Sequence, residues 1–270
     1  MRTDVVALFA RDPEPPMDEA ALSIAADLHP YLDADATRAE LDDLAAPLRS
    51  RAASLRTPAD HAALLGTYVY DELGFAGDEE TYDDPLNNDL VSVLARRRGV
   101  PISLAVVLAA LGRRAGIAVV GIGFPGHCLA RVGGVGGAVV DPFFHARVLD
   151  DAGVASLLRK VLGDDAVAVP ELLAPCGARA VAVRMLANLK NSFERRGDHA
   201  RALVACDRLV DLTGAAEPRR DRGMHALALG SPLAAAEDLR AYLAARPSAR
   251  DAARVREALD TLAAGVRNFQ

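Results

Sequence analysis

"GVPISLAVVLAALGRRAGI", residues 99–117, places one hydroxyl, Ser103, just after a proline and directly ahead of a long apolar run. Proline suits the first turn of a helix, and so continuous an apolar run makes a helix buried on all sides. The pattern predicts a helix from about Ser103 to Ala115, stopped by Gly116. Peptide dipoles at a helix N-terminus stabilise negative charge. Ser103 is therefore either an ordinary cap or a hydroxyl held where a nucleophile would be held.

Beyond this helix the chain changes character. "IAVVGIGF" (117–124), "HCLARV" (127–132) and "GAVVDPFF" (137–144) are rich in β-branched residues and separated by glycine, which predicts three strands. "GGVGG" (133–137) reads as the hairpin connection between the second and third. His127 and Asp141 are equidistant from Gly134. A turn centred there sets them opposite each other, with Cβ atoms roughly 4.5–5.5 Å apart. Leu129 and Val139 then share their face, while Cys128 and Val140 point the other way. A carboxylate beside an imidazole holds its tautomer and stabilises the imidazolium. Ser103, His127 and Asp141 thus form a candidate Ser/His/Asp constellation. Each has a plainer reading beside it: Ser103 as a cap, His127 as a structural histidine, Asp141 as a turn residue before Pro142.

Upstream, "MDEAALSIAADLH" (17–29) and residues 35–55 have helical spacing. Thr57–Pro58 opens a third helix expected to run to Gly74, and "GDEETYDDPLN" (77–87) reads as loop. A short helix over Asp89–Arg98 is expected to stop at Gly99. Downstream, a proline-bounded joint at Pro170–Pro175 leads into an all-helical tail. The tail holds a weak internal repeat, "LANLKNSFERRGDHARALVACDRLVDL" (186–212) and "RDRGMHALALGSPLAAAEDLRAYLAARP" (220–247). Their turn glycines, Gly197 and Gly230, lie 33 positions apart, close to a tetratricopeptide period. A plain bundle of helical hairpins is the alternative.

The 270 residues carry a net charge of −6, with 51% hydrophobic and 25% charged residues. Those proportions describe a globular chain. The acidic balance argues against a nucleic-acid footprint, and Arg96–Arg98 reads as a solvated helix end. Cys128, Cys176 and Cys206 have neither disulfide-framework nor zinc-ligand spacing, so no metal or cofactor is expected. No stretch reaches the length of a membrane span and the N-terminal apolar stretch is too short for a signal peptide, so the expected compartment is the cytoplasm.

"YDDPLNNDLVSVLARRRGVPISL" (82–104) with "GFPGHCLARV" (123–132) and "VVDPFF" (139–144) resembles the SirB-type branch of the transglutaminase-like superfamily. The resemblance implies an α+β fold: a papain-like core in which a helix N-terminus faces an antiparallel sheet, with N-terminal helices and a tetratricopeptide-like tail. The corresponding division is 1–81, 82–170 and 176–265. By position, Ser103 stands where active members of the superfamily carry a nucleophilic cysteine, with His127 and Asp141 at the histidine and aspartate. Asn87 matches an asparagine usual in this branch, which implies a pocket-lining role. A thiol holds some thiolate near neutrality and a hydroxyl does not, so the departure at Ser103 decides the function. The expectation is a non-catalytic module binding a protein or peptide. A serine hydrolase acting on amides or esters, and an adaptor working through its tail, are the alternatives.

Overall fold

The computed structural model describes residues 4–167 and 169–267. Two compact units divide the chain, residues 1–185 and 186–270.

In the first unit, α1 (Val5–Arg11), α2 (Met17–Leu28), α3 (Ala34–Ala53) and α4 (Pro58–Gly66) precede the sheet. The start of α4 follows from its sequence: Thr57 accepts a hydrogen bond from the Asp60 backbone and Pro58 fills the first position. Its end differs from expectation. From Thr67 to Glu72 the chain widens into a π-helix that buries Tyr68, Val69 and Tyr70. Regular α-helical spacing does not foretell such a widening.

The expected loop at 77–87 contains two short elements, strand β1 (Ala76–Gly77) and a 3₁₀ turn over Pro85–Asn88. α5 (Leu90–Arg96) follows, capped by the Asp89 carboxylate. It ends at Arg97 rather than Gly99. Arg97 takes the left-handed conformation at φ 57°, and its guanidinium lies 4.7 Å from the centre of the Phe75 ring. Strand β2 (Arg98–Gly99) then pairs in parallel with β1.

α6 (Pro101–Arg114) is the helix of residues 99–117, with every residue from Pro101 to Gly112 buried. Val100 occupies the N-cap, so Ser103 lies at the third helical position, three places inside the cap. Gly116, at φ 78°, ends the helix as expected.

The antiparallel sheet has five strands, two more than the sequence reveals, in the order β6-β5-β4-β3-β7. They are β3 (Val119–Ile122), β4 (Leu129–Val132), β5 (Ala138–Asp141), β6 (Arg147–Leu149) and β7 (Pro175–Cys176). β4 and β5 pair as Ala130↔Val140 and Arg131↔Val139. The hairpin is therefore centred on Val135, two residues out of register with a turn at Gly134 but with the same face assignment. Leu129 and Val139 join Ile122, Phe124 and Leu149 in one core cluster with Val154 and Leu158 of α7 (Asp151–Leu162).

The second unit is helical. It includes α9 (His199–Thr213), α10 (Ala216–Ala228), α11 (Pro232–Ala245) and α12 (Ala252–Arg267), and the unit boundary falls inside α8 (Ala178–Arg195). Gly197 and Gly230 sit at the turns between α8 and α9 and between α10 and α11, with φ of 68° and 74°. A left-handed turn residue is what each helix–glycine–helix segment of the repeat requires.

Candidate functional site

Asp141 ends β5 and is fully buried; one of its carboxylate oxygens lies 2.9 Å from His127 Nε2. His127 does not stand on β4. It sits in the bend that leads into it, where its backbone N–H donates to the Phe124 carbonyl. The same Asp141 oxygen accepts the Phe143 backbone N–H at 3.0 Å. Its other oxygen is buried without a partner among the described residues. A carboxylate facing Nε2 favours the tautomer protonated on that nitrogen, which leaves the lone pair on Nδ1. His127 is 11% exposed.

Aromatic rings wall this pair. Phe143 meets the His127 imidazole edge-to-face at 6.4 Å, and Tyr82 and Phe144 each meet Phe143 in the same manner. The Tyr70 hydroxyl donates to the Pro142 carbonyl and so fixes the turn that follows Asp141. Burial first, and then the negative charge of Asp141, push the Tyr70 hydroxyl far above its ordinary value. Tyr70 was not legible as a site residue, because an aromatic at helical spacing reads as core.

Ser103 is fully buried. Its Oγ donates to the Val100 carbonyl at 3.0 Å and accepts the Val100 backbone N–H at 3.1 Å. The side chain at the third helical position thus reaches back to the N-cap, half of a capping box. Gly99 closes over it: a Cβ on Gly99 would lie 2.5 Å from Ser103 Oγ. Among the described residues no hydrogen bond joins Ser103 to His127 or Asp141.

Asn87 is also fully buried. Its amide donates to the Thr81 carbonyl at 2.7 Å and accepts from Arg96 at 3.1 Å. Arg96 reaches on to Asp78, which receives both the backbone and the hydroxyl of Thr81. Burial alone would raise the Asp78 carboxyl, but Thr81, Asn87 and Arg96 together hold it below its ordinary value. With both ends of its amide engaged, Asn87 braces residues 78–96.

Cys128, adjacent to the histidine, is 2% exposed, and burial pushes its thiol up to about 12. Such a thiol holds almost no thiolate at neutral pH. Cys176 on β7 is half-buried and also raised by burial. Among the described residues, no group of three or more His, Cys, Asp or Glu side chains is gathered as a metal site requires.

Comparison with known proteins agrees with this architecture. Residues 35–187, more than half of the chain, match the transglutaminase-like superfamily. Residues 189–260 match a tetratricopeptide repeat. A UPF0162 protein of Xylella fastidiosa is 35% identical over 246 residues, covering 89% of this chain and 88% of its own. UPF0162 protein PA3419 of Pseudomonas aeruginosa is 33% identical over 222 residues, 80% of each chain. No solved structure gives a significant match. The chain belongs to the transglutaminase-like superfamily, within the UPF0162 family that these bacterial relatives represent.

Proposed function

We propose that this protein is a SirB-type member of the superfamily that retains the scaffold without the chemistry, a cytoplasmic module that binds a protein or peptide partner. The observation that carries this reading is the double engagement of Ser103 Oγ with Val100. A serine nucleophile must give its proton to the imidazole, because it has no standing population of oxyanion to draw on. This hydroxyl directs its proton to a backbone carbonyl and its lone pair to a backbone N–H, while Gly99 packs against it. Cys128 offers no substitute, with its thiol raised by burial. Partner binding is supported by the tetratricopeptide match, since stacked helix pairs present extended concave surfaces. A cytoplasmic setting is supported by three free thiols. The acidic net charge weighs against nucleic acid, and no described helix is long and apolar enough to cross a membrane.

A specific observation favours the rival reading, a serine-dependent amide or ester hydrolase using Ser103, His127 and Asp141. The His127–Asp141 pair is intact, and His127 Nδ1 has no hydrogen-bond partner among the described residues. The first N–H groups of α6 also lack intrahelical acceptors, as at any helix start, and could receive an oxyanion. An adaptor acting through the helical tail alone is the third reading. Hydrolysis of small esters and amides by the purified full chain separates the first two. The proposal expects no turnover above background. Saturable hydrolysis that disappears in both Ser103→Ala and His127→Ala would establish the hydrolase instead.

A further inference from the structure

β6 is the end strand of the five-stranded sheet, so its backbone has a strand neighbour on one side only. Such an edge is a ready template for another strand unless it is blunted. Beside it lies a groove of about 430 Å³ between β6 and α7, lined by Phe144, Arg147, Val148, Asp150, Leu157 and Lys160 among others. Two of the apolar lining residues are unusually open: Val148 is 52% exposed and Phe144 39%. Single exposed hydrophobics are ordinary, but here they adjoin one another along a free edge.

The charges of the groove are unbalanced. Asp150 is its one acid, and that carboxylate is already committed as the N-cap of α7, accepting from Gly153 N at 2.8 Å. Arg147 lies over the Phe144 ring at 6.0 Å, and neither it nor Lys160 has a carboxylate partner among the described residues. Two cations without a carboxylate partner among the described residues therefore flank an apolar strip beside a strand that has no second strand neighbour, where the Arg147 N–H already donates to the Phe144 carbonyl. Arg147 also pairs across the sheet with Asp141 of the candidate site.

We infer that β6 and the groove beside it bind an extended acidic peptide segment, which adds to the sheet edge as a further strand. Alternate apolar side chains of the segment settle against Phe144, Val148 and Leu157. Its carboxylates meet Arg147 and Lys160. Backbone pairing supplies affinity, and the groove with its cations supplies selection. This inference rests on the reading of the protein as a peptide-binding module and assigns that module a surface and a class of ligand.

The probe is an acetylated, amidated octapeptide alternating Glu and Val, titrated into the isotope-labelled full chain and followed by amide chemical shifts. Shifts confined to residues 144–160 are expected, weakening as salt is raised. The Lys/Val counterpart should bind at least fivefold more weakly, as should the acidic peptide to Lys160→Glu or Arg147→Glu, about what reversing one or two exposed ion pairs provides. Methylating alternate backbone nitrogens of the peptide should abolish binding in one of the two registers. Equal binding of both peptides, insensitivity to Lys160→Glu, or shifts elsewhere would overturn the site. No binding at all would also overturn it. Proposed non-catalytic function fails by a different readout, Ser103-dependent hydrolysis, which none of these titrations measures.

Discussion

Substituting Gly99 by alanine tests where the Ser103 hydroxyl stands. The new Cβ would meet Ser103 Oγ at 2.5 Å, almost an ångström inside ordinary contact. Its next neighbours, Val93 Cγ1 at 3.3 Å and Leu104 Cγ at 3.4 Å, need give little. Overpacking of this degree costs about 2 kcal/mol. Ser103→Ala alone loses the hydroxyl's two hydrogen bonds to Val100 and should cost about 1 kcal/mol, the scale of a lost helix cap. In the double variant the clash has lost its principal atom. The combined loss should therefore fall short of the sum of the single losses by about 1 kcal/mol or more. Urea unfolding followed by circular dichroism measures all three variants against the wild type. Additive losses would refute the reasoning, because they would mean that the hydroxyl is not lodged beneath Gly99.

Three further outcomes follow from the geometry. Asp78 is held below its ordinary value when folded, so the stability it contributes is present above the unfolded value of about 3.8 and is lost as pH falls through the lowered folded value. Acid unfolding of Asp78→Asn should lack that component; an unchanged acid profile would discount the Thr81–Asn87–Arg96 brace. With its thiol at about 12, Cys128 should resist iodoacetamide at pH 8 in the folded protein, and peptide mass mapping should find the half-buried Cys176 modified first. Gly197→Ala must place a side chain at φ 68° and should destabilise the tail by about 1 kcal/mol in thermal unfolding, with Gly197→Asn costing less. Equal stability of all three proteins would count against the left-handed turn.

The central helix and the His127–Asp141 pair were legible in the sequence for physical reasons. A proline followed by an unbroken apolar run specifies a buried helix, and strand parity keeps Leu129 and Val139 on one face through an error of two residues in register. That error did occur: the turn centres on Val135 rather than Gly134, because a five-residue loop with four glycines tolerates several positive-φ arrangements and fixes the pairing weakly. The pair still forms, since His127 approaches Asp141 from the bend before β4 instead of from the opposite strand position. β6 and β7, of three and two residues, are too short to display alternation. The end of α5 at Arg97 was hidden because its left-handed turn is held by the Phe75 ring, a tertiary contact, and not by a glycine. Ser103 stands at the expected helix end, but its partners there, Val100 above all, depend on the helix being capped three residues earlier, at Val100, which no pattern reveals.

The reactivity of Ser103 tests the account most directly. The native full chain, its Ser103→Ala variant and its His127→Ala variant would each be treated with a fluorophosphonate and mapped by peptide mass spectrometry. A hydroxyl bonded on both sides to Val100 and covered by Gly99 should show no label at Ser103 beyond that of a denatured control. Stoichiometric labelling of Ser103 in the native protein, lost in His127→Ala, would mean that the imidazole activates this serine, and would contradict the account.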